Sequence, residues 1–355
     1  MTERPTDIEG LCAAVRSHAR VRVRGSGTKP GTWRPAGEAA LIDLSRLAGM
    51  TEYAPEECTF TALAGTRLQE IERLLGAHEQ YLPFDPPLVE AGATIGGTVA
   101  TGVNGSCRLR YGGIRDFLIG ARVVDGRGCL VRSGGKVVKN AAGFLLHQAM
   151  AGSCGRLGVL AELTFKVFPR PPAFVTLKVA TPDVAAACAS MAAVQRARSE
   201  VDALDLVAPS TIWIRLGGFE DALPERIARL SRAIGRQVEV LRNDADAAAW
   251  HEAREFAWVP PDTTLIRVAL TTPQVPALDA IAAGGGARRR YALGGNLAFI
   301  AWPTGLADFS TALEELGLRG QALTGSAGRP FVGAEASGEF ERRVQAVMDP
   351  QSRFE

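Results

Sequence analysis

Three glycine-rich segments in the first half of the chain hold the residues best suited to chemistry. The first is RGSGTKPG (24–31), where small residues let backbone N–H groups close on an anion and Arg24 and Lys29 add positive charge. A dinucleotide fingerprint of the Rossmann kind needs a helix to open directly after its glycines. Here Pro30 disfavours helical backbone at Lys29, so the loop reads as a diphosphate cradle with no helix dipole behind it. A plain surface turn is the equal alternative for this motif taken alone. The second segment is ATIGGTVATGVNG (93–105), in which Gly96, Gly97 and Gly102 permit close backbone approach. Thr94, Thr98, Thr101 and Asn104 add neutral donors and acceptors, and the run is too polar for a core strand. The third is AGSCGRLGVLAE (151–162), with Gly152, Gly155 and Gly158 at every third position ahead of an apolar stretch. Each alone reads as a tight loop. Together, with Arg24, Lys29, Arg110, Arg115 and Lys139 among or between them, they suit one large anionic ligand.

Other chemistries are absent. The six cysteines are scattered with no C-x-x-C pair, which argues against a zinc ribbon or an iron–sulfur cluster held by this chain and fits a reducing cytoplasm. There is no G-x-x-x-x-G-K-[ST], no H-E-x-x-H and no G-x-S-x-G. The four histidines, His18, His78, His147 and His251, all lie outside the glycine segments. His251 beside Arg254 is the best lone candidate for a base, but Trp250 and Phe256 suggest packing there. A net charge of +2 and the lack of a long basic run argue against nucleic acid. Arg288, Arg289 and Arg290, the densest cluster, read as a solvated strand end.

These residues must be positioned by a sizeable fold. The chain has 355 residues, of which 46% are hydrophobic and 22% charged, enough for two globular domains. The N-terminus has no apolar signal region, and no apolar run approaches the ~20 residues that span a bilayer. Thr6 with Glu9 and Thr66 with Gln69 predict capping boxes for two helices in the first half. Asp125-Gly126 predicts a hairpin between strands at 117–124 and 129–132, and 157–168 predicts a long strand. PRPP (169–172) marks the expected domain boundary, since proline removes ladder donors. Beyond it, strands and helices alternate in a way that predicts one antiparallel sheet covered by helices on one face, then a last helix at 339–348.

The glycine segments, in order with PFDPP (83–87), RYGGIRD (110–116), VKNAAGF (138–144) and GSCGRLGVLAELTFKVFPRP (152–171), resemble a known family. It is the FAD-binding fold shared by vanillyl-alcohol oxidase and p-cresol methylhydroxylase, and the chain looks like the E-type subunits of bacterial glycolate oxidase. The dense match covers about 20–172. AWHEAREF (249–256) and GGNLAFIAWP (294–303) extend it weakly. The resemblance implies an α+β fold, with a p-cresol methylhydroxylase-type FAD-binding domain of two subdomains at 1–170 and an antiparallel-sheet cap at 173–335. A C-terminal helix at 336–355 would return toward the FAD domain.

Residue roles follow from the same resemblance. Arg24, Gly25, Ser26, Gly27 and Thr28 would cradle the diphosphate. Ile95, Gly96, Gly97, Thr101 and Gly102 would line the flavin and its ribityl arm, and Arg115 and Asp116 sit in the segment that crosses the FAD. Gly152, Ser153, Gly155, Gly158 and Val159 would hold the adenine end and diphosphate. Physical reasoning adds Lys139 and Asn140 near the flavin ring, because a cation there favours the reduced anionic form; solvation on a helix surface is the equal alternative for Lys139. With no histidine in the glycine segments, FAD is expected to be noncovalent.

Two departures from the family bear on function. Relatives that oxidise 2-hydroxy acids usually carry H-x-G-D-G-N-x-H in the cap, whereas this chain has YALGGNLA (291–298). The closing stretch MDPQSRFE (348–355) also lacks the N-P-G-[KR] that usually follows. The leading expectation is therefore a cytoplasmic FAD-binding subunit, peripheral at the inner membrane face through its complex. A second FAD-binding subunit would oxidise glycolate to glyoxylate, and an iron–sulfur subunit would carry electrons to quinone. A free-standing FAD-dependent 2-hydroxy-acid dehydrogenase and a structural subunit that uses FAD only for assembly are the alternatives.

Overall fold

The computed structural model describes residues 1–33, 38–135, 145–197, 199–303, 305–325, 329–335 and 338–354. Among these, the strands form four sheets, and two of them position the glycine segments. A small parallel sheet sets Ala40–Asp43 between Thr2–Glu3 and Val21–Arg24, so the RGSGTKPG loop leaves directly from a strand end. After it comes only a short 3₁₀ turn, Pro30–Thr32, as Pro30 requires. The flanking helix Ile8–Ser17 buries Leu11 and Val15, but Asp7 rather than Thr6 caps it, accepting from Gly10 N at 2.7 Å. The second expected capping box also fails. Arg67 is the N-cap of helix Leu68–Gly76, while the Thr66 hydroxyl is buried and donates to Leu63 O at 2.7 Å.

The second sheet is antiparallel, in the order Met50–Ala54, Thr59–Leu63, Val159–Lys166, Leu118–Val124, Leu130–Gly134. The Asp125-Gly126 hairpin is present, pairing Val124 with Leu130. The 93–105 segment is not a loop throughout. Thr94 caps a helix, Ile95–Thr101, by accepting from Gly97 N at 3.2 Å, and Gly102 ends it at φ +61°. The apolar side chains Ile95 and Val99 are fully buried, and that burial outweighs the low helix propensity of Gly96-Gly97.

A nine-stranded antiparallel sheet begins at Ala173 and supplies the second core. Its spatial order is Glu239–Arg242, Ala173–Ala180, Thr211–Gly218, Ala203–Val207, Arg288–Ala292, Leu297–Trp302, Thr264–Ala269, Arg319–Ala322, Phe331–Gly333. Helices Val184–Arg196, Leu223–Ile234, Val275–Gly284 and Ala307–Glu315 bury their apolar stripes on one face. The expectation that all helices share that face is corrected by Asn243–Arg254. Strand alternation turns Trp213 to the opposite face, where it packs on Trp250 of this helix and on Cys107 of the first half.

Alternation also corrects the arginine cluster, which lies within a strand. Arg289 pairs with Asp279 at 2.5 Å, and Arg290 is buried against Asp205 at 2.7 Å. The C-terminal helix Glu339–Met348 leads back to the first half, where Val21 N donates to Arg353 O and Phe354 joins the first core.

Candidate functional site

The three glycine segments converge on one open cleft. One wall is the loop from Arg24 to Lys29, the floor is the helix face carrying Gly96, Gly97 and Thr101, and the opposite wall carries Ser153, Gly155, Gly158 and Val159. Close approach explains the glycines. A Cβ on Gly25 would lie 2.2 Å from Thr94 Oγ1, so a bare backbone is needed for the loop to meet the helix N-terminus. A Cβ on Gly97 would meet only Thr94 Oγ1, at 3.0 Å, and would otherwise project into the cleft.

Charge in the cleft is one-sided. Among the described lining residues there is no aspartate, glutamate or histidine. Arg24 is neutralised by Asp43, with Nη2 2.6 Å from Oδ2. Burial pushes Asp43 up, but hydrogen bonds from Arg24 and Ser45 outweigh it and hold the carboxyl below its ordinary value. Lys29 is 5% exposed, and burial pulls its ammonium down to about 8 against the field of Glu255. Ser153 Oγ is buried with no hydrogen-bond partner in the protein. A polar ligand bearing negative charge satisfies both features.

The nine-stranded sheet closes one end. Gly31 N donates to Leu323 O at 2.9 Å, and a Cβ on Gly31 would sit 2.9 Å from the Leu323 carbonyl carbon. Arg267 donates to Gly102 O at 2.7 Å, to Thr101 O at 3.3 Å and to Gln321 Oε1, and Gln321 Nε2 reaches Cys154 Sγ at 3.2 Å. Burial pulls Arg267 down to about 10. Glu255 clasps the 88–91 turn, accepting from Val89 N at 2.9 Å and Glu90 N at 3.2 Å.

Of the residues expected at the site, Arg24, Gly25, Ser26, Gly27, Thr28, Gly96, Gly97, Thr101, Ser153, Gly155, Gly158 and Val159 line the cleft. Ile95 lies in the core beneath it, and Gly102 and Gly152 pack on each other, a Cβ on Gly102 falling 3.0 Å from Gly152 Cα. Arg115 and Asp116 are off the wall: Arg115 Nε donates to Gln148 and Asp116 accepts from Gly113 N. Lys139 and Asn140 fall outside the described residues. Lys29 and Thr94, which the sequence offers only as a cation and a neutral donor of the glycine segments, also line the cleft, and Trp33, Cys154 and Leu160 line it with no role expected of them. Thr94 had a signal, the Thr-x-x-Gly spacing at a helix start. Arg267 and Gln321 had none, since their place depends on how the second sheet docks.

The histidines sit elsewhere. His18 meets Glu3, His147 meets Ser133, His251 meets Glu90, and His78 packs edge-on to Tyr53. Among the described residues no cluster could hold a metal ion, and no helix is long and apolar enough to cross a membrane.

Comparison with known proteins gives the cleft a context. Residues 3–134 match the family described as FAD binding domain. The chain is 36% identical over 225 residues to glycolate oxidase subunit GlcE of Escherichia coli (strain K12), covering 61% of each. It is 32% identical to a D-lactate dehydrogenase of Anaerostipes hadrus, over 48% of this chain and 37% of that protein. With glycolate oxidase subunit GlcD of Bacillus subtilis (strain 168) it shares 33% identity over 49% of this chain and 37% of that one. The matches thus span 61% or less of these relatives' lengths. Alkyldihydroxyacetonephosphate synthase superposes with a TM-score of 0.73 at 15% identity, covering 99% of this chain and 74% of that one, which shows a shared fold. Residues 3–134 thus resemble an FAD-binding domain, the match supports FAD as the cofactor, and the α+β fold with an antiparallel sheet is as expected.

Proposed function

We propose that this flavoprotein is an FAD-binding subunit of a glycolate oxidase-like complex, serving electron transfer or assembly and leaving hydroxy-acid oxidation to a sister subunit. We read 1–170 as the flavin-binding unit, 173–335 as a cap, and 336–355 as a tail rejoining the first. When bound, FAD supplies one- and two-electron redox chemistry. The loop amides from Gly25 to Thr28 and the Ser153 hydroxyl would hold it without a covalent bond, and the helix face at Gly96, Gly97 and Thr101 would lie along its flavin and ribityl arm.

The observation that carries this reading is the composition of the cleft. A hydroxy-acid oxidase needs a group to accept the hydroxyl proton, and no carboxylate or imidazole lines the described walls. The likeness to GlcE supports the assignment. A sister flavoprotein would then take electrons from glycolate, giving glyoxylate, and an iron–sulfur subunit would pass them to quinone. The test is purification of the native protein with cofactor analysis. Co-purifying flavin and iron–sulfur subunits are expected; a chain that purifies alone from its native source contradicts the proposal.

A second reading has its own support. The D-lactate dehydrogenase likeness favours a free-standing 2-hydroxy-acid dehydrogenase. Rapid reduction of the isolated chain by glycolate or D-lactate would favour it.

A further inference from the structure

We propose that Lys29 is the counter-charge of the FAD diphosphate, and that the chain takes up one proton at this residue as it loads its cofactor. The inference rests on the cleft being the FAD site. Lys29 lies on the cleft wall almost wholly out of solvent, and the one hydrogen bond described for its Nζ is with its neighbour Thr28 Oγ1, at 3.2 Å. Arg24, the other cation among the described residues of the wall, is already matched by Asp43. A buried ammonium without a counter-charge is costly, and so is a buried diphosphate. Oxidised FAD brings one charged group into the cleft, and the loop that ends in Lys29 is the one whose glycine amides suit a phosphate.

The surroundings leave Lys29 free for this role. Among the described residues, the charged and titratable groups around the cleft are the Arg24–Asp43 pair, Cys154 opposite, Arg267 from the second sheet, and Glu255 at the end of helix Asn243–Arg254. Arg267 is engaged with carbonyls of Thr101 and Gly102, and both Glu255 oxygens accept backbone N–H groups of the 88–91 turn. Glu255 therefore acts on Lys29 only through its field. Without cofactor, burial places the amine at about 8. The diphosphate stays dianionic through this range, so binding must return a proton from solvent to Nζ at higher pH. No electrons move in this step. The sign follows: FAD affinity is flat below about 8 and falls up to tenfold per pH unit above it.

Calorimetry of the cofactor-stripped chain with FAD, ADP and riboflavin tests this in two buffers of different ionisation heat. The expected uptake is close to one proton per FAD and per ADP at about pH 9, close to none per FAD at about pH 7, and none with riboflavin. K29M should abolish the uptake and weaken FAD and ADP alike by roughly 10- to 100-fold, while K29R should keep tight binding at the higher pH. The wild-type measurement stands even if a variant fails to fold. FAD binding without proton uptake overturns the proposal alone. So does a K29M chain with unchanged ADP affinity and a shifted flavin potential, which would put Lys29 at the redox ring instead. A wild-type chain that binds neither FAD nor ADP overturns the placement of the cofactor as well.

Discussion

Thr94 Oγ1 separates two kinds of glycine in the cleft. Gly25 lies so close to it that any side chain must push the loop and the helix apart, whereas a Cβ on Gly97 meets it at 3.0 Å, asks for a shift of a few tenths of an ångström, and otherwise takes room from the cofactor. Substitutions at the two positions should therefore fail differently. G97V fills the cleft while leaving the backbone unstrained, so FAD affinity should fall by roughly 10- to 100-fold, the counterpart of about 1–3 kcal/mol of overpacking. The thermal midpoint of the cofactor-free variant should stay near that of the parent. G25A should instead lower the stability of the cofactor-free chain by about 1–3 kcal/mol. Flavin content after gel filtration and thermal unfolding together check both. Undiminished flavin in G97V would remove this helix from the cofactor site.

The elements that carry the cleft were legible to different degrees. Local chemistry was readable: Pro30 forbids a helix after the first glycine loop, and Asp125-Gly126 makes the hairpin. Capping boxes misled, because a Thr hydroxyl has more than one possible partner. Thr66 is drawn into the turn between a strand and a helix, and Asp7, one residue along, outcompetes Thr6. The 95–101 helix was hidden by its glycines, since what holds it is burial of Ile95 and Val99 rather than propensity. The place of groups contributed from beyond Ala173, on the sheet or at the end of helix Asn243–Arg254, had no signal in the sequence. Glu255 is one, and its clasp on the 88–91 turn gives a prediction at this scale. E255A removes the acceptor for two or more amides and should cost about 1.5–3 kcal/mol. Hydrogen exchange should rise at Val89 and Glu90 first, while the strands of the five-stranded sheet keep their protection. Uniform loss of protection would show that the clasp is not local.

Across the whole molecule, the two cores are joined by buried charge. Ser106 Oγ donates to Asp205 Oδ2 at 2.6 Å, Arg290 Nε donates to the same oxygen, and the guanidinium lies over the edge-to-face pair of Trp213 and Trp250. Burial raises the Asp205 pKa against the pull of Arg290. R290M would strand that carboxylate and should cost about 3–5 kcal/mol in urea unfolding, much of it recovered in D205N/R290M. Simple additivity of the two single variants would refute the coupling. Arg267 of the second sheet is tied to the carbonyls of Thr101 and Gly102, and the described walls of the cleft carry no acid or imidazole, which supports the proposal that hydroxy-acid oxidation belongs to another subunit. The most direct test is anaerobic addition of glycolate to the purified, FAD-loaded chain while its visible flavin band is followed. Dithionite is expected to bleach the band and glycolate to leave it unchanged until a sister flavoprotein subunit is supplied. Rapid bleaching of the isolated chain by glycolate would contradict the proposal.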